Sequence, residues 1–78
     1  MEFFVGQILL VSFDFAPPNF ALCDGTLMRI SSNPALFSLV GNKFGGDGVS
    51  TFALPDYRKS APEGSIYVIA TQNGMYPR

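Results

Sequence analysis

Gln7-Ile8-Leu9-Leu10-Val11-Ser12-Phe13 is the stretch on which the fold turns. It is a run of branched and aromatic residues between Gly6 and a turn at residues 14–18, and it reads as a strand. In a strand, Ile8, Leu10 and Ser12 face one way and Leu9, Val11 and Phe13 the other. Both faces are mainly apolar, so the strand is expected to be covered on both sides, by the chain's own core and by a neighbour. The other strong strand is residues 65–71, with Ile66, Val68 and Ala70 on one face and Tyr67, Ile69 and Thr71 on the other. Pairing of these N- and C-terminal strands is the expected frame.

Glycine and proline cut the chain between them into short elements. Pro17-Pro18-Asn19 is a turn, and residues 20–23 form a short strand closed by Asp24-Gly25, a tight-turn pair that makes residues 26–30 its expected hairpin partner. Ser32 or Asn33 caps one short helix, with Pro34 at its first position, where a missing N–H does no harm. Leu36, Leu39 and Val40 form its apolar stripe, Phe37 widens the stripe, and Gly41 ends the helix. Packing must hold it, because two turns are not stable in water. After a glycine loop, residues 51–54 are extended ahead of Pro55, and residues 57–64 are loop. No repeat, linker or low-complexity tract divides the chain. Residues 1–78 are therefore read as a single α+β domain of short strands around one helix.

Composition narrows the function. A chain of 78 residues buries only roughly 60–65% of the surface its unfolded form exposes, so a lone copy is marginal. Small domains answer with disulfides, metals or partners. Cys23 is the only cysteine and there is no histidine, so neither a disulfide within the chain nor a metal site is expected. Partners remain. Charged residues make up 14% of the chain and hydrophobic ones 47%, including eight phenylalanines, against about 25% charged in ordinary soluble domains. The excess reads as a subunit interface. A net charge of −1 argues against nucleic acid, and no segment is long and apolar enough for membrane insertion. Met1-Glu2-Phe3-Phe4 lacks the basic start of a classical signal peptide.

Candidate chemistry is sparse. Gly45-Gly46-Asp47-Gly48 has the glycine content of a phosphate cradle, but such loops open a helix, and Val49-Ser50-Thr51-Phe52 is strand-like. A tight reversal is the better reading. Asp24, Asp47 and Asp56 lie far apart, each in a turn context. The structural turns are accordingly placed at Asp24, Gly25, Gly45, Gly46, Asp47, Gly48, Pro55 and Asp56. Cys23 has no histidine to activate it and reads as a buried small hydrophobe. Arg58 either pairs with Asp56 or reaches across an interface. Tyr57, Tyr67 and Tyr76 can stack on sugars, although packing is the readier use. No enzymatic activity and no cofactor are expected.

The order of these segments resembles the phage tail collar family, found in phage short tail fibres and in bacterial microcystin-dependent proteins. The resemblance rests on Val5-Gly6-Gln7-Ile8, Ala16-Pro17, Phe20-Ala21-Leu22-Cys23-Asp24-Gly25 and the helix around Ala35-Leu36-Phe37-Ser38-Leu39. It continues through Gly45-Gly46-Asp47-Gly48, Phe52-Ala53-Leu54-Pro55-Asp56 with Arg58, and Ile69-Ala70-Thr71-Gln72 with Tyr76-Pro77-Arg78. Phe20 stands where the family more often has Trp, and Tyr57-Arg58-Lys59 replaces a Leu-Arg-Gly-Arg pattern. Many members carry a long segment after that arginine, where only residues 60–64 stand here. The resemblance thus implies a minimal collar whose function is assembly, trimeric as in phage fibres, in a virion tail; an extracellular filament is the other expected location.

The resulting expectation is a structural protein that self-assembles into a homo-oligomeric fibre or filament, as a trimer or a helical polymer. Its expected interface draws on Phe3, Phe4, Val5, Leu9, Val11, Arg58, Tyr67, Ile69, Met75 and Tyr76. End-to-end strand addition through Phe3, Phe4, Met75 and Tyr76 is one route. The alternative is a module that binds carbohydrate on a host surface, with surface glycans as its partner.

Overall fold

The computed structural model describes residues 2–75. The chain runs through β1 (Glu2–Phe3), β2 (Ile8–Val11), β3 (Phe20–Leu22), β4 (Leu27–Arg29), α1 (Pro34–Val40), β5 (Thr51–Ala53), β6 (Ile66–Ala70) and β7 (Gly74–Met75). It is a small α+β domain. Strand β6 is the centre, with β2 antiparallel on one side and β3 antiparallel on the other. Ile8 lies opposite Ile69 and Val11 opposite Ile66, so the two strong strands pair as their composition suggests. β1 and β7 continue that register, Glu2 opposite Met75 and Phe3 opposite Gly74. The two ends of the chain therefore form one ladder, interrupted near Gly6. There Gly6, at φ +88°, donates its N–H to the Ala70 carbonyl at 2.8 Å, while Gln7 O accepts the Ala70 N–H at 2.9 Å. Two residues thus face one, a local bulge.

Strand β6 has apolar material on both faces, which is why it reads as a continuous hydrophobic run. Val68 and Ala70 pack with Phe3 and Phe20, whose ring centroids are 4.7 Å apart. Ile69 points the other way, into a core of Cys23, Leu36, Phe52 and Leu54. Strand β2 differs. Leu9 and Val11 are half-buried beside the Phe3 cluster, but Ile8 and Leu10 are exposed. The expectation of cover on both faces therefore holds for β6 and fails for β2 within this chain. β2 also stops at Val11, with Ser12 and Phe13 in a bend. Among the described residues no strand lies beyond it, so its outer side chains overhang the core.

The expected hairpin between residues 20–23 and 26–30 does not form. β4 pairs instead with β5, Leu27 opposite Ala53 and Arg29 opposite Thr51. One register holds along this whole arm. Ile30 N–H donates to Ser50 O at 3.0 Å, Leu54 N–H to Thr26 O at 3.0 Å and Tyr57 N–H to Cys23 O at 2.9 Å, with Asp24 bridging Asp56. Gly25, at φ +83°, turns the chain out of the first sheet and into the second. The turn signal is real, but the long-range ladder sets its direction.

Helix α1 starts at Pro34 and stops at Gly41, whose φ of +63° and N–H to Phe37 O at 2.7 Å close it. Asn33 sits at the N-cap without capping a helical N–H; its Nδ2 donates to Arg29 O at 3.1 Å. Leu36 is fully buried, and the Phe37 ring lies 5.4 Å from that of Phe52. Leu39, expected on the apolar stripe, is 59% exposed. The buried stripe is narrower than its spacing implies because the core lies under Leu36 and Phe37.

Candidate functional site

The Gly45–Gly48 loop is organised by Asp47. Its Oδ1 accepts from the N–H groups of Val49, Ser50 and Thr51 at 2.8, 2.9 and 2.9 Å, and its Oδ2 from Ser50 Oγ at 3.0 Å. These bonds, that of Thr51 foremost, hold the carboxyl well below the usual carboxylate range. The backbone donors that an incoming anion would need are therefore already engaged by the chain's own carboxylate. Ala53 N–H to Gly45 O and Gly48 N–H to Thr51 O, both at 3.0 Å, fasten the loop to the end of β5.

Asp24 and Asp56 meet across a backbone bridge, yet each carboxylate serves its own turn. Asp24 Oδ1 accepts from Thr26 N–H at 3.1 Å and from the Thr26 hydroxyl. Asp56 takes Arg58 in a forked pair, Oδ1 to Nε at 2.9 Å and Oδ2 to Nη2 at 2.7 Å. Those bonds bring Asp56 down to about 2 and push Arg58 up. Both side chains are well exposed, so the pair adds little to stability. Asp47 lies apart. Among the described residues no three His, Cys, Asp or Glu side chains gather as a metal requires.

Cys23 is 2% exposed, and burial, aided by the Asp24 charge, pushes its thiol up to about 11. A thiol held protonated in this way is a poor nucleophile. Tyr57 and Tyr67 meet edge to face with centroids 5.9 Å apart, half-buried against the Ile69 core.

The ten expected interface residues fall in different places. Phe3 and Ile69 are inside the chain's own core. Val5, Leu9, Val11 and Tyr67 are half-buried, and Phe4 and Arg58 are exposed. Met75 pairs its backbone with Glu2, and Tyr76 lies outside the described residues. The exposed apolar surface lies largely elsewhere. Ile8, Leu39 and Phe44 line an open groove of about 370 Å³ that also touches Gly6 and Tyr57, with Lys43 as its one charged group among the described residues. A shallower depression continues it between Ile8, Tyr57 and Tyr67. Leu10, opposite Tyr67 in the β2–β6 ladder, extends the same face. The apolar alternation of residues 7–13 carried this signal, but could not say which face stays uncovered.

No helix among the described residues is long and apolar enough to cross a membrane. No curated protein and no solved structure matched the chain. A family model for the phage tail collar domain does match, over residues 6–62. That span runs from β2 through β5, takes in the Asp47 and Asp56 turns and stops short of β6, and the chain belongs to this family of phage tail fibre structural proteins.

Proposed function

We propose that this domain is a non-enzymatic structural subunit that associates with copies of itself, as an element of a tail fibre or of an extracellular filament. One observation carries the reading: the chain exposes large apolar side chains with few charges to screen them. Among the described residues Phe4, Phe15, Leu27, Leu39 and Val49 are all more than half exposed, in a chain with 14% charged residues. Such a surface favours association over solvation. The terminal strands are less suited to it than the sheet, because β1 and β7 are two residues each and already commit one edge to each other.

Sedimentation velocity over a concentration series, with negative-stain microscopy, tests the reading. Discrete oligomers or short rods support a fibre element, and long threads support a filament subunit. A protein that stays monomeric at every concentration overturns it, and glycan binding lost in Tyr57→Ala would put a surface-binding module in its place.

A further inference from the structure

The three-stranded sheet has two outer edges, and they are not equivalent. At the β3 edge, Phe20 turns its N–H back to Pro17 O at 3.0 Å, and only three residues are extended. Among the described residues the β2 edge is open. Gln7 bonds Ala70 on the inner side, so by antiparallel alternation Leu9 and Val11 address β6 while Ile8 and Leu10 turn their N–H and C=O groups outward. Residues 7–13 contain no charge and no proline, two of the devices that keep an edge strand from pairing with another chain, and the bulge at Gly6 lies before the strand rather than within it.

Deepening the self-association proposed above, and resting on it, we propose that β2 pairs with β2 of a second copy, antiparallel about a two-fold axis. The register that pairs every outward group of Ile8 and Leu10 puts Ile8 opposite Leu10 of the copy and Leu9 opposite its own counterpart. The contact is isologous, each copy giving the other the same groups, so it closes at a dimer that serves as the building unit, and a second contact elsewhere extends it into a fibre or filament. It joins two three-stranded sheets into one of six.

The surface beside the edge is of the right size. Ile8, Leu10, Leu39 and Phe44 are 38%, 47%, 59% and 42% exposed. At on the order of 200 Å² per large side chain, they leave about 400 Å² of apolar surface. A stable dimer buries roughly 800 Å² per partner, somewhat more than half of it apolar. The half-buried Tyr57 and Tyr67 supply much of the difference.

The test uses the whole chain and three variants. Leu10→Lys places a charge on an exposed edge position and should weaken association roughly tenfold or more, while its melting temperature matches the wild type at concentrations too low for either to associate. Leu9→Cys should cross-link to its copy under mild oxidation, because facing residues at such a position stand about 4.5 Å apart, within disulfide reach. Val49→Cys, exposed and away from β2, is the control and should cross-link far less. Assembly undiminished in Leu10→Lys, with Leu9→Cys no better cross-linked than Val49→Cys, overturns the β2 contact and leaves the assembly reading standing. A wild-type protein that stays monomeric overturns both.

Discussion

Gly46 packs so closely on Phe52 that a Cβ at Gly46 would lie 2.5 Å from the Phe52 Cα. Phe52 is fully buried at the centre of the helix-side core. The glycine loop thus does more than reverse the chain: it lets one backbone lie directly against another.

Gly46→Ala should therefore cost on the order of 3 kcal/mol, combining an unfavourable φ with a backbone clash. Gly46 has φ +88° and Gly41 has φ +63°, but a Cβ at Gly41 meets nothing within 4 Å. Gly41→Ala should cost only about 1 kcal/mol. Urea titration of both variants measures the difference, and equal losses would show that the Phe52 contact carries no weight.

Stability should fall at both ends of the pH scale, for separate reasons. Asp47 is held below its ordinary value by hydrogen bonds from the loop backbone. Its contribution is complete above the unfolded value of about 4 and is lost as pH falls through the folded one. Cys23 is raised from 9.0 to about 11 by burial, so its contribution is complete below the unfolded value and is lost as pH rises through the folded one. Melting temperature against pH should show a less steep acid limb in Asp47→Asn and a less steep alkaline limb in Cys23→Ala. Limbs that match the wild type in both variants would refute these assignments.

Leu36 and Leu39 separate the two jobs of the helix. Leu36 is fully buried and Leu39 is 59% exposed. Leu36→Ala should lose about 2–5 kcal/mol of folding stability. Leu39→Ala should stay within about 0.5 kcal/mol while weakening self-association. Thermal melts and sedimentation on the same samples decide it; a large folding loss at Leu39 would place it in the core.

Local chemistry made several elements readable before any contact was known. Pro34 and Gly41 mark the ends of the helix because one lacks an N–H and the other accepts a positive φ. The apolar runs around Leu9 and Val68 announce strands, and as the two strongest they are the expected pair, although β6 pairs with β3 as well. The partner of β4 was not readable. Asp24-Gly25 favours a nearby strand, whereas Leu27 finds Ala53, with the whole helix and glycine loop between them. The candidate surface was legible only as an excess: Ile8 and Leu10 were missing from the expected interface, and Phe3 and Ile69, counted in it, lie inside the core.

The sequence by itself determined that this chain has short strands, one short helix, tight acidic turns and more apolar surface than its charges can screen. Only the tertiary structure decided where that surface lies. Residues 7–13 and 65–71 carry similar apolar faces, yet β6 gains a strand on each side and is buried, while β2 ends the sheet and keeps Ile8 and Leu10 outside. Burial belongs to the packing of all the elements together, and no pattern within one strand records which of them will be last.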